Sequence, residues 1–148
     1  MAGARARSTT ERALDAYIKL QRAADTALAR TTGHLARYDL TVSQFGVLEA
    51  LHHLGTLHQR DLARKLLRSA GNMSIVLQNL ERRGLISRRR DPGDARFVKV
   101  GITDRGRRLL LSFFPRHVQG IVEEMAALTA DEQAELARLC RKLGLRQS

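Results

Sequence analysis

The chain has 148 residues, 43% of them hydrophobic, with 26 Lys and Arg against 15 Asp and Glu, a formal charge of +11. That length fits one domain with its own core, and abundant Leu, Ile, Val and Ala against 2 Pro and 11 Gly exclude a wholly disordered chain. No apolar run reaches the roughly 18 residues of a membrane span and no signal-peptide core follows the Arg-bearing start, so a cytoplasmic protein is expected; the lone Cys140 excludes an internal disulfide, a Cys-rich zinc site and a Cys-x-x-Cys pair.

Ser8 and Glu11 form a capping-box spacing ahead of Leu14, Tyr17, Ile18, Ala24, Leu28 and Leu35, which predicts a long first helix weakened in its last third by Gly33. Its near-heptad row Leu14, Gln21, Leu28, Leu35 is narrow, as on a helix packed against a partner helix. Thr41 and Gln44 repeat the capping signature before Phe45, Leu48, Leu51 and Leu54, and Gly55 stops this second helix. The stretch Gln59 to Leu67 reads as a short third helix, with His58 as a makeshift cap and Ser69 as the cap of the fourth.

The fourth helix, about Ala70 to Arg83, buries Met73, Val76, Leu77 and Leu80, and Gly84 ends it. Its opposite face carries Gly71, Ile75, Gln78 and Arg82, with Asn72 and Asn79 along one edge and Ser74 along the other. A β-hairpin follows, from Leu85 to Arg90 and from Arg96 to Ile102, around Asp91-Pro92-Gly93-Asp94-Ala95. Pro-Gly suits a type II turn, with positive φ at Gly93. Alternation puts Val98, Val100 and Ile102 inward and Phe97, Lys99 and Gly101 outward, with Arg88, Arg89 and Arg90 approaching a basic tip.

Thr103 caps a fifth helix carrying Leu110, Phe113, Phe114, His117, Val118, Ile121, Val122 and Met125, in which Pro115 predicts a kink near Leu111. Thr129 and Glu132 box the last helix, whose apolar stripe is Leu136, Leu139, Cys140 and Leu143. On these stripes a buried structural thiol is expected of Cys140 and a hydrogen-bonded core or pocket role of His117.

The charge is unevenly placed. Residues 58–108 hold 14 basic and 5 acidic side chains, a net +9, whereas residues 1–57 carry +2 and residues 109–148 carry zero. Such a local, Arg-rich excess is the footprint of a polyanion partner, nucleic acid first. Three short helices, the third with a polar outer face, then a hairpin with a cationic tip, follow the order of a winged helix-turn-helix. A helix fits the major groove, where Asn, Gln, Ser and Arg meet base edges, and a thin hairpin reaches the minor groove or its phosphates.

The sequence resembles the MarR (multiple antibiotic resistance regulator) family of bacterial transcription regulators over roughly residues 10 to 145. The resemblance rests on an ordered set of motifs: Leu40-Thr41-Val42-Ser43-Gln44, Arg60-Asp61-Leu62-Ala63, Leu80-Glu81-Arg82-Arg83-Gly84-Leu85-Ile86-Ser87-Arg88, Asp91-Pro92-Gly93-Asp94-Ala95-Arg96 and Ile102-Thr103-Asp104-Arg105-Gly106. It implies a mainly α, winged helix-turn-helix fold with a small antiparallel β-wing, a single domain over 1–148 with DNA-binding residues 41–102 flanked by dimerisation helices at 8–38 and 103–146. It implies a homodimer reading a palindromic operator in double-stranded DNA, a ligand-responsive repressor released by a small lipophilic or phenolic effector, with no cofactor and no membrane partner.

By that resemblance Ser69, Asn72 and Ile75 open the groove-facing recognition helix, Arg96 is the wing Arg entering the minor groove, and Asp94 orients it. Gln78, Asn79, Arg64, Arg68, Arg88, Arg90 and Lys99 complete the expected DNA contacts; Ala95 occupies a position where many relatives place Arg, and Arg88, Arg89 and Arg90 are the candidates to substitute from the opposite strand. Ile75 either touches a thymine methyl or packs on a slightly rotated helix. Dimer contacts are expected from Leu14, Tyr17, Ile18, Ile121, Met125, Leu136, Leu139, Cys140 and Leu143. Peroxide sensing through a Cys of the first helix, found in some relatives, does not carry over, because no Cys precedes residue 140.

Glu49, His52 and His53 lie at helical spacing, but no third strong ligand is near and solvated histidines are the simpler reading. No phosphate-cradling glycine loop, nucleophile elbow or His-Asp-Ser arrangement is present, so an enzyme is not expected. The alternative of a different class is a winged-helix module that binds protein or structured RNA.

Overall fold

Three capping boxes set the starts of three helices, as their spacing predicts. In the computed structural model, which describes residues 6–66 and 70–145, Ser8, Thr41 and Thr129 each accept from the backbone N–H three residues on while Glu11, Gln44 and Glu132 reach back to the cap. The elements are α1 (Thr9–Thr32), a 3-10 helix (Gly33–Tyr38), α2 (Val42–Leu54), β1 (Leu57–His58), α3 (Gln59–Lys65), α4 (Ala70–Arg82), β2 (Ile86–Arg90), β3 (Val98–Ile102), α5 (Asp104–Met125) and α6 (Ala130–Gly144). Gly55 and Gly84 end α2 and α4 with φ of 80° and 72°, conformations that cost a glycine little.

The chain forms two compact units, one of residues 34–119 and one of the flanking segments up to 33 and from 120. The first is built around Leu35, Leu48, Leu51, Leu62, Met73, Leu77, Leu80, Val100, Leu110 and Phe113, all essentially sealed from solvent. Leu35 therefore belongs to this core through the 3-10 helix, not to the apolar row of α1, which ends with the α-helix at Thr32. Arg83 ties the end of α4 to the turn before α2, donating to the carbonyls of Asp39 and Tyr38 at 2.6 and 3.1 Å.

The expected two-stranded hairpin is a three-stranded antiparallel sheet in the order β1-β3-β2. β1 contributes only Leu57 and His58, opposite Val100 and Lys99, too few residues to leave an alternating pattern. At the other end of β3, Thr103 Oγ1 accepts from Gly106 N–H and donates to the Gly84 carbonyl, starting α5. A Cβ at Gly106 would lie 2.1 Å from the Leu85 carbonyl oxygen, so this close approach of helix and strand admits only glycine. α5 then continues through Pro115 to Met125.

The wing turn is also different from expectation. Gly93 has no positive φ, so the turn is not type II. The Asp91 carboxylate instead accepts from Gly93 N–H at 2.9 Å, and Asp94 N–H returns to the Asp91 carbonyl. This side-chain turn fixes the tip without a left-handed residue.

In the other unit, no described residue of 6–33 or 120–145 is buried. Within it Arg30 pairs with Glu124 at 3.1 Å, and Leu20, Ala24, Met125, Leu136 and Cys140 line an apolar hollow. Cys140 is exposed within the single chain, where a buried thiol was expected, because the described residues around the hollow leave this face of α6 open.

Candidate nucleic-acid interface

The α4 periodicity divides core from outer face. Met73, Leu77 and Leu80 are buried, Asn72, Ser74, Ile75 and Gln78 are exposed, and Asn79 is half-buried at the edge. Ile75 is 60% exposed and is therefore not a packing residue of this unit. The start of α3 is joined to this helix by Gln59, whose Nε2 donates to Ser74 Oγ at 3.1 Å. Arg64 projects from α3 with its side chain 76% exposed, only loosely paired with Asp61; Arg68 and Ser69 lie outside the described residues.

At the wing, Asp94 holds Arg96 in a fork: Nε and Nη2 donate to the carboxylate at 3.0 and 2.7 Å, and Arg96 N–H adds a third bond at 3.1 Å. The Arg96 side chain is nonetheless 84% exposed. Its hydrogen bonds hold the Asp94 carboxyl below the usual carboxylate range and push the Arg96 pKa upward, so both groups stay charged. A planar cation pre-aimed on a rigid tip is what phosphate or minor-groove contact needs.

The three Arg of β2 divide. Arg88 turns toward α4, only 23% exposed and 3.2 Å from Glu81, so within the unit its charge is engaged by that carboxylate. Arg89 is exposed, and Arg90 is exposed while donating to the Ala95 carbonyl at 2.7 Å. Lys99 is half-buried, 4.0 Å from Asp91, and its charge is partly offset there. Arg96, Arg90, Arg64 and the α4 face thus all belong to the basic unit of residues 34–119.

Two expectations at this site are corrected. His58 occupies the N-cap position of α3 but makes no capping bond; its Nε2 lies 2.7 Å from Asp91 Oδ2. Phe97 does not face outward: its ring stacks on His58 at 5.1 Å and 14°, and the Arg60 guanidinium sits over it at 4.4 Å. Neither pairing has a sequence signal, because the partners lie 33 to 39 residues apart.

His117 is buried as expected, yet its Nδ1 has no hydrogen-bond partner, and neither has the buried Nε2 of His34; the rings are 5.1 Å apart. Burial, and then the neighbouring His117, lower the His34 pKa. The dimer candidates all fall in the flanking unit: Leu14, Tyr17 and Ile18 on α1, Ile121 and Met125 at the end of α5, and Leu136, Leu139, Cys140 and Leu143 on α6. All are exposed except Met125, which is half-buried. Among the described residues no three His, Cys, Asp or Glu converge as a metal site, and no helix is long and apolar enough to cross a membrane.

A model of the MarR family matches residues 38–96. The HTH-type transcriptional regulator MhqR of Bacillus subtilis (strain 168) is 30% identical over 136 residues, covering 92% of this chain and 94% of that protein. Among solved structures, the S. aureus MepR–DNA complex matches with a TM-score of 0.75 at 27% identity, over 87% of this chain and 96% of that one. Bordetella bronchiseptica BpsR, whose DNA binding is regulated by 6-hydroxynicotinic acid, matches with a TM-score of 0.79 at 27% identity, over 88% of this chain and 98% of that one. The helical chain with its three-stranded wing, the polar α4 face and the fixed Arg96 belong to a member of the MarR family of DNA-binding transcriptional regulators, a family without enzymatic activity.

Proposed function

We propose that the protein is a repressor that binds a palindromic operator as a homodimer and is released by a small lipophilic or phenolic effector. The observation that carries the DNA-reading role is the exposed α4 face and the Asp94-oriented Arg96 held on one unit that also carries the +9 excess. Asn72, Ile75 and Gln78 read base edges, Asn79 contributes from the edge of the helix, and Arg64, Arg90, Arg96 and Lys99 meet phosphates or the minor groove. Arg68 and Ser69, at the approach to α4, are assigned to the same contact by sequence position.

Pairing is supported by a different observation. The segments 6–33 and 120–145 expose Leu14, Tyr17, Leu28, Val122, Leu139 and Leu143 without one buried residue, a surface that calls for a second copy. The helices at 8–38 and 103–146 are accordingly the dimerisation segments around residues 41–102. Effector release is supported by BpsR, whose DNA binding a hydroxylated aromatic acid regulates; such a ligand must bind the DNA-bound form less well than the free form. Selection of bound duplexes from a random pool tests the whole reading: a palindrome with half-sites about 10 bp apart is expected, and recovery of no common sequence overturns it.

A further inference from the structure

Arg96 can contact DNA only if the turn that carries it is held in place, and the β2–β3 ladder stops short of that turn. The last ladder pair is Arg90 with Val98, after which Asp91 N–H bonds the Phe97 carbonyl, Phe97 N–H bonds the Asp94 carbonyl, and the turn bonds of Asp91 shape the tip from within. Those bonds shape the tip, but what fastens it to the rest of the unit comes from outside the hairpin. His58 is on β1, and its Nε2 meets Asp91 Oδ2 at 2.7 Å across 33 residues of sequence. Asp91 is kept ionised by the Gly93 N–H and by His58, so its oxygen is an acceptor and Nε2 carries the hydrogen.

The same ring lies nearly parallel to Phe97, next to Arg96, while Nδ1 is 3.8 Å from Asp61 in the first turn of α3. Arg60, also in that turn, covers Phe97 at 4.4 Å, and Arg96 itself is 5.9 Å from the Phe97 centroid. Stacking and cation–π contacts of this kind each contribute modestly, and together they fix the orientation of one ring. The consequence is that both ends of the wing turn, Asp91 and Phe97, are fastened to the β1–α3 corner, which Gln59 in turn fastens to Ser74 of α4.

We propose that His58 is a positioning residue for DNA binding: through Asp91 and Phe97 it locks the wing turn to the start of α3 so that Arg96 and the α4 face engage one duplex in fixed register. This rests on the DNA-reading role above and adds a residue to it that touches no DNA. Lys99 and Asp94, the other charged groups near the ring, are themselves engaged, Lys99 with Asp91 and Asp94 with Arg96.

The test compares the full-length wild type with His58→Phe, which keeps a ring against Phe97 but cannot donate to Asp91, and with His58→Gln, which can donate. Operator affinity is measured across a salt series on the selected duplex and on random duplex, with thermal melting of each variant as the control for folding. Expected is an affinity loss of about tenfold for His58→Phe and a log–log salt slope shallower by about 2 per dimer, one lost contact in each wing. His58→Gln and Asp91→Asn separate the bond from the ring: His58→Gln restores affinity to within about threefold and the full slope, whereas His58→Phe in an Asp91→Asn background causes no further loss. An unchanged slope in His58→Phe, or equal loss in the Phe and Gln variants, overturns the positioning role while leaving DNA binding intact. If the wild type itself prefers no duplex, the DNA-reading role fails first, and the control identifies that failure.

Discussion

Residues 34–119 bury Leu48, Leu62, Met73, Leu77, Val100 and Phe113 against one another, whereas no described residue of the flanking segments is buried and leucines on α1 and α6 lie open. The charge divides in the opposite sense: the Arg excess lies on the unit that has its own core. One unit is thus stable by internal packing and free to present a polar, cationic surface, while the other has spent its apolar residues on an outer face. A regulator that must place two readers at a fixed spacing needs this division, because the element that sets the spacing has to be shared between copies.

The largest effect separates the two kinds of apolar residue. Leu77→Ala removes a fully buried side chain from the α4 packing and is expected to cost about 2–5 kcal/mol, at any protein concentration, in denaturant titration. Leu139→Glu, by contrast, leaves the core of 34–119 untouched. It is expected to break pairing, seen by sedimentation, and to weaken operator binding by about two orders of magnitude through loss of bivalence, while helical circular dichroism persists. Concentration-dependent melting of the wild type that disappears in Leu139→Glu would sharpen the comparison; a variant that stays dimeric would break it.

Within the basic unit, the proposed reading gives affinity to the wing and specificity to α4. Arg96→Ala should lower affinity for operator and random duplex alike by about tenfold and make the salt slope, expected near −5 to −9 for the wild type, shallower by about 2 per dimer. Asn72→Ala should cut the operator-to-random ratio by about tenfold with little change in slope. Equal losses on both duplexes for Asn72→Ala would place that side chain on phosphate instead.

How much of this was legible before folding follows from the range of each interaction. The boxes at Ser8, Thr41 and Thr129, the stops at Gly55 and Gly84, and the α4 face act within one or two turns, so residue spacing encodes them. The Asp94–Arg96 fork is equally local, its partners two residues apart, but it is the family resemblance and not the spacing that assigns Asp94 this role. β1 escaped because two residues carry no period, and the turn type escaped because the Asp91 carboxylate, not the Pro-Gly pair, decides it. His58 with Asp91, Phe97 with Arg60, and Arg88 with Glu81 are set by how the sheet meets the helices. Leu35 looked like one more member of the α1 row until the helix ended at Thr32 and its side chain turned into the core.

The smallest effect concerns His34, in the basic unit beside His117. Both rings have a buried nitrogen without a partner, and Phe113 packs edge-on against His34. Burial, His117, Arg116 and Arg37 all disfavour its cation, so its pKa lies below the ordinary 6.5. The sign follows from that depression: the unfolded chain takes up the proton first as pH falls, so the contribution of His34 to stability is complete above 6.5 and is lost as pH drops through the folded-state value. Melting temperature should therefore decline between about pH 7 and about pH 5, and His34→Phe, which keeps the ring contact with Phe113 and cannot titrate, should flatten that decline. Because the effect belongs to the unit that carries its own core, the flattening should be the same in Leu139→Glu as in the paired protein. A decline that vanishes with pairing would assign the titration to the shared face instead.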